Sequence, residues 1–168
     1  GPFRGAKSQP SEGGTRVPAI VRYPGFVTGR SDAFMTVMDL LPTFLALAGT
    51  EHPGTTYQGR EILPVKGSSL LPVLQGERVT VHPEEHVVGW ELHGSAALRQ
   101  GDWKLLRMRP PKGSGDWQLY NLAQDPGEHN DLSSIHPERR AQLLEHWRQY
   151  AAEGSIVLPD WNADSDHQ

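Results

Sequence analysis

The chain has 168 residues, 36% of them hydrophobic, and its 16 basic and 20 acidic side chains leave a formal net charge of -4. That length suits one domain with a core, or a small domain joined to part of another. No basic stripe suits nucleic acid, no polybasic patch or long apolar run suits a membrane, and zero cysteines exclude a disulfide scaffold, a thiolate metal site and a cysteine nucleophile.

Glycine and proline number 18 and 14, so turns are expected to be plentiful. No strand or helix precedes the first loop, "GAKSQPSEGGTR", so the chain is expected to begin in mid-fold. Residues 17–23, "VPAIVRY", read as a short strand with Pro18 near its start, closed by the turn Tyr23-Pro24-Gly25. "MDLLPTFLALAG" reads as a helix capped by Asp39, with Pro42 in its first turn and Gly49 as its stop. Leu40, Leu41, Phe44, Leu45, Leu47 and Ala48 cover most of its circumference, which predicts burial on nearly every side. Residues 51–85 read as a connecting segment with one short helix in "SSLLPVLQG".

The pattern then changes. "HVVGWEL", "AALR", "WKLLRMR" and "WQLYNL" are short extended runs separated by His93-Gly94-Ser95, Gln100-Gly101-Asp102 and "PPKGSGD". Such runs predict a four-stranded antiparallel meander. Pro137 then opens an amphipathic helix over about 137–153, with Leu143, Leu144, Trp147, Tyr150 and Ala151 on one face and Gly154 at its end. The fold class expected is α+β: a strand and helix from the end of an α/β domain (1–50), a connector (51–85), and an α+β subdomain (86–168). The tail from Leu158 onward is polar apart from Trp161 and is expected to be loose.

Three clusters invite chemical readings. "HPEEH" matches the H-x-x-E-H spacing of a zinc peptidase, which needs a helix to bring both imidazoles to one face. The extended "VVGWEL" that follows argues instead for an exposed polar connector. "DPGEHND" gathers acids and a histidine without the spacing of a calcium loop, and reads as turn chemistry. Trp90, Trp103, Trp117 and Tyr120 read as packing for the helix above the sheet. The opening loop is more specific. Gly13-Gly14 after Glu12 permit positive φ or close backbone approach, and a lysine held there, Lys7, is a compact cation suited to sulfate or phosphate.

The stretch "PFRGAKSQPSEGGTRVPAIVRYPG" resembles the sulfatase pattern of a lysine, a short gap, E-G-G, x-R-x-P and a strand ending in P-G. "VMDLLPTFLALAG" is similar to that family's D-x-x-P-T-x-L-x-x-A-G helix. "ALRQGDWKLL" resembles its A-x-R-x-G-x-[WY]-K segment, and "LYNLAQDPGEHNDL" its L-Y-[DN]-L-x-x-D-P-x-E-x-x-[DN]-L run. The four occur in family order across residues 2–152 and resemble the C-terminal portion of an arylsulfatase-type enzyme of the alkaline-phosphatase-like superfamily.

The resemblance implies hydrolysis of sulfate esters by a formylglycine nucleophile with Ca2+ or Mg2+, both held by an N-terminal catalytic portion. That portion and the sulfate ester are the partners expected. This chain has no C/S-x-P-S-R motif, and no metal ligand maps onto it. Lys7 corresponds to the lysine that contacts the sulfate group. Glu12, Gly13 and Gly14 are expected to shape its loop, and Arg16 to be structural. Glu91 and His93 have no family counterpart. Alone, the chain is expected to be inert and, with the apolar strand and helix uncovered, to self-associate. A phosphonate or phosphodiester hydrolase of the superfamily, or a non-catalytic binding or assembly module, remains open.

Overall fold

The computed structural model describes residues 2–158, so the tail expected to be loose lies beyond the described residues except for Leu158. It divides into two compact units. One comprises the first 18 residues with everything from Glu84 on; the other is Ala19–Pro83.

In the first unit, β3 (Val87–Leu92), β4 (Ser95–Gln100), β5 (Trp103–Arg107) and β6 (Trp117–Asn121) form an antiparallel meander in the order β3-β4-β5-β6. The β3–β4 register pairs Leu92 with Ser95, leaving His93-Gly94 as a two-residue turn. Both turn residues have positive φ, 51° and 74°, the twist such a turn needs. Alternation then sorts the side chains. Ala96, Leu98, Leu105 and Leu119 face α4 (Pro137–Glu153) and are sealed by Leu143 and Trp147. Gly89 lies beneath the Tyr150 ring, where an added Cβ would fall 2.3 Å from a ring carbon. The tyrosine hydroxyl donates to the Gly89 carbonyl at 3.0 Å.

The opposite sheet face carries Val88, Arg99, Lys104 and Tyr120 in register, with Ala97 and Leu106 in the neighbouring row. Trp103 and Trp117 pack with the helix-side core as expected. Trp90 and Tyr120 do not: strand alternation sends both to the far face, among Ala97, Leu106, Met108 and Leu122.

The second unit is organised differently. A 3-10 turn, Val37–Asp39, leads into α2 (Leu40–Leu47); β1 (Thr56–Tyr57) and β2 (Arg60–Glu61) form a small hairpin, and α3 is Leu71–Leu74. Asp39 is more than a helix cap. Its carboxylate accepts hydrogen bonds from the Thr36 N–H (2.6 Å), the Ser68 N–H (2.8 Å) and the His82 ring (3.0 Å). Burial pushes the Asp39 carboxyl up, but these donors outweigh it and hold it below the usual carboxylate value. His82 therefore departs from the exposed connector expected of "HPEEH": its side chain is only 6% exposed, against Asp39.

One expectation, the strand over 17–23, fails, while the apolar side chains of this segment and of the following helix lie uncovered, as expected of this chain alone. Residues 17–23 form no strand and belong to no ladder among the described residues, and Ile20 is 97% exposed. Helix α2 forms where expected, yet Phe44 is 61% and Leu41 50% exposed. Both segments carry apolar side chains at positions patterned for burial that stay half or more exposed among the described residues.

Candidate functional site

The opening loop is anchored to the far face of the sheet at both ends. Upstream of Lys7, the Arg4 guanidinium donates to the Tyr120 hydroxyl at 2.7 Å and to the Gln118 side chain at 3.3 Å. Downstream, Ser11 leads into α1 (Glu12–Thr15), a single helical turn. The two ends are tied to each other by a hydrogen bond from the Gly13 N–H to the Arg4 carbonyl, 2.8 Å.

The paired glycines explain how the loop closes. A Cβ on Gly13 would fall 2.5 Å from the Arg4 and Gly5 carbonyl oxygens, and one on Gly14 would fall 2.0 Å from the Gln9 carbonyl. Of the two uses a glycine pair allows, this loop takes the close approach; positive φ is used at Gly5 and Ser8 instead.

Glu12 does more than shape the turn. Its carboxylate lies 2.8 Å from the Lys104 ammonium, which lies equally close to Glu128. Lys104 is fully buried, with Glu12 and Glu128 only 4% and 2% exposed. The second Glu128 oxygen accepts the Glu12 N–H at 3.0 Å. The Trp90 ring stands 5.8 Å from the ammonium. An ion cluster this dry persists only if each charge is paired and hydrogen-bonded. Burial pushes the neighbouring Arg99 guanidinium down, while the Glu12 and Asp102 carboxylates draw it partly back. Burial likewise raises the Tyr120 phenol, with Arg4 opposing.

Lys7 sits in the loop between these anchors, exposed to solvent. Such an arrangement supplies electrostatics: an ammonium carried by a backbone whose two ends are fixed. Arg16 is structural in its contacts, lying over the Phe3 ring at 4.7 Å and 4.0 Å from Glu12. Glu91 and His93 serve the β3–β4 turn, where the Glu91 carboxylate accepts the Gly94 N–H at 2.6 Å. A groove between α4 and the sheet, lined by Glu85, Gln100, Gln142 and His146, lies on the helix side, away from the face that anchors the loop.

Residues 125–131 proved to be more than a solvated turn. Asp125 accepts the His129 and Asn130 N–H groups, each at 2.7 Å, and Asp131 accepts the Leu119 N–H at 3.0 Å. These bonds curl the chain so that Glu128, in a left-handed conformation (φ 56°), turns inward to Lys104. The turn's three carboxylates are thus engaged with backbone N–H groups and, at Glu128, with the Lys104 ammonium. No grouping of three or more His, Asp or Glu side chains among the described residues is arranged to hold one.

Lys104 and Glu128 were not singled out from sequence, though a signal existed. Glu12, Lys104 and Glu128 are the charged letters of three separate motifs, E-G-G, [WY]-K and D-P-x-E, and they meet at one point.

Comparison with known proteins agrees with these motifs. Residues 7–150 match the family described as N-sulphoglucosamine sulphohydrolase, C-terminal. An uncharacterised sulfatase of Schizosaccharomyces pombe is 40% identical over 95% of this chain and 29% of its own length. The N-acetylgalactosamine-6-O-sulfatase of Bacteroides thetaiotaomicron is 29% identical over 86% of this chain and again 29% of its own. The chain thus spans less than a third of these relatives. Among solved structures, one from work on glycosaminoglycan metabolism by Bacteroides thetaiotaomicron superposes with a TM-score of 0.71 at 25% identity, covering 90% of this chain and 32% of that one. From the motifs, the fold and these likenesses together, the chain belongs to the N-sulphoglucosamine sulphohydrolase C-terminal family and is a C-terminal portion of a sulfatase.

Proposed function

We propose that this chain completes the active site of a sulfuric ester hydrolase by contributing Lys7 as the sulfate contact. The observation that supports this most is the anchoring of the Lys7 loop by Arg4 on one side and Glu12 on the other, through residues of the same motifs that mark the family. A cation whose backbone is fixed in advance stabilises negative charge growing on sulfuryl or leaving-group oxygens without reorganising during the reaction. The formylglycine and the divalent ion implied by the resemblance belong to residues outside this chain, in an N-terminal catalytic portion. That portion is also the proposed cover for the apolar side chains of residues 17–44.

The N-acetylgalactosamine-6-O-sulfatase relative and the resemblance to arylsulfatase-type enzymes define the substrates to try. In the assembled enzyme, Lys7→Ala is expected to lower kcat for aryl sulfate and N-acetylgalactosamine 6-sulfate by roughly 10²–10³, the loss seen when one preorganised charge-stabilising donor is removed. Its fold, followed by circular dichroism, should be unchanged. Unaltered turnover by the Lys7→Ala enzyme would overturn the assignment and favour a non-catalytic module. Faster turnover of the matched phosphate ester would move the enzyme to the phosphonate and phosphodiester hydrolases. The purified 168-residue chain should turn over neither substrate.

A further inference from the structure

We propose that Lys104, Glu128, Arg4 and Tyr120 are positioning residues for the Lys7 loop, so that the four-stranded sheet is part of the apparatus that sets the reacting geometry. This rests on the reading of Lys7 as the sulfate contact.

The loop has few ways to hold itself. Within it the Ala6 N–H donates to the Gln9 side chain, and its ends are tied by the Gly13 N–H on the Arg4 carbonyl and by the close seating of Gly13 and Gly14. Its position is set at its ends. The leading end is pinned to β6 by the Arg4 guanidinium on the Tyr120 hydroxyl. The trailing end is pinned twice at Glu12: the side chain to Lys104 of β5, and the backbone N–H to Glu128. Glu128 thus holds a side-chain charge and a main-chain donor at once. A bond to the backbone fixes the path of the chain in a way a bond to a flexible side chain does not.

Two features separate this arrangement from a generic buried ion pair. Glu128 occupies a left-handed backbone conformation that non-glycine residues rarely adopt, so the surrounding turn is built to deliver its carboxylate to this point. The Arg4 contact is a second anchor, on a different strand and on the other side of Lys7. Together they bracket the lysine rather than merely fill the sheet face.

The test has two arms, and two variants guard against misfolding. In the 168-residue chain, amide hydrogen exchange is followed at Glu12 and Gly13 for Glu128→Gln, which keeps an acceptor and the Lys104–Glu12 pair, and for Tyr120→Phe, which removes only a hydroxyl. Exchange there should quicken at least about tenfold in Glu128→Gln, and less in Tyr120→Phe, with β4, β5 and α4 amides unchanged. In the assembled enzyme, both variants should lower kcat more than they raise KM, and neither should reduce activity further once Lys7→Ala is present.

Unchanged exchange at Glu12 and Gly13 in both variants would overturn the proposal, as would kcat losses that multiply with that of Lys7→Ala. If exchange quickens but Lys7→Ala leaves turnover intact, the anchoring stands and the sulfate-contact reading fails. If Lys7→Ala abolishes turnover while the loop amides are indifferent to both variants, the reading stands and the anchoring fails.

Discussion

The two units both place a carboxylate at their centre, but they surround it differently. In the first, Glu12 and Glu128 close on Lys104 on one sheet face while Leu98, Leu105, Leu119, Leu143 and Trp147 form a dry core on the other. In the second, Asp39 gathers Thr36, Ser68 and His82, and Leu70 is the one large apolar side chain of this unit in the buried core among the described residues. Polar bonds can specify a local shape in either setting, but only the first also removes a large apolar area from water. The first unit should therefore unfold cooperatively, whereas the second should yield locally.

The sharpest test of that contrast is Lys104→Met. Removing the ammonium leaves two carboxylates facing each other in a dry site, and breaking a buried pair this way costs about 3–5 kcal/mol. Urea denaturation followed by tryptophan fluorescence reads this directly, because Trp90, Trp103, Trp117 and Trp147 all lie in the first unit. A slightly smaller loss, about 3 kcal/mol, is expected for Leu143→Ala, from lost burial plus the cavity it leaves. Asp39→Ala removes a buried carboxylate acceptor from the Thr36 and Ser68 N–H groups and from the His82 ring, a cost of about 1–3 kcal/mol confined to the second unit. Exchange at the Ser68 and Leu70 amides should quicken while the tryptophan transition stays where it was. Movement of that transition by Asp39→Ala would mean the two units unfold as one.

Acid should weaken both more gently. Burial raises the Asp131 carboxyl, but the Ser133 and Leu119 donors hold it below the usual carboxylate value, as the corresponding donors do for Asp39. A depressed carboxyl stabilises the fold fully above its unfolded value of about 3.9, and that contribution is lost as pH falls through the folded value. Stability of the first unit should decline below about pH 4, and Asp131→Asn should flatten the decline. The smallest effect is expected for Phe44→Ser. At 61% exposure this ring contributes little to folding, and the change should stay within about 0.5 kcal/mol. The same deletion of apolar bulk at Leu143 is costly, so the pair of variants measures the contrast between units.

What could be read from sequence divides along the same line. The meander and α4 were legible because their signals are local: period-two alternation, turn residues such as His93-Gly94, and Pro137 at a helix start. Residues 17–23 carry the composition of a strand, but a ladder needs a second strand, and composition says nothing about whether one is at hand. The β1–β2 hairpin was missed because two-residue strands around Gln58-Gly59 show no apolar alternation. At the site, Lys7, Glu12 and the glycine pair were legible as a loop. Lys104 was harder to see, since a lysine in a strand ordinarily faces water. Its burial depends on carboxylates 92 positions earlier in the chain and, at Glu128, beyond the next strand.

Those separations also bear on the order in which the molecule assembles. Glu12 meets its partners across 92 residues at Lys104 and 116 at Glu128, and Arg4 reaches Tyr120 across another 116. Contacts that close such long loops form late, after the local hairpins that present their partners. During synthesis, the Lys7 loop emerges well ahead of the 125–131 turn, 116 residues separating Glu12 from Glu128, and must wait until that turn has left the ribosome before its trailing end can be fixed. A loop made long before its anchors is thus among the last to be set.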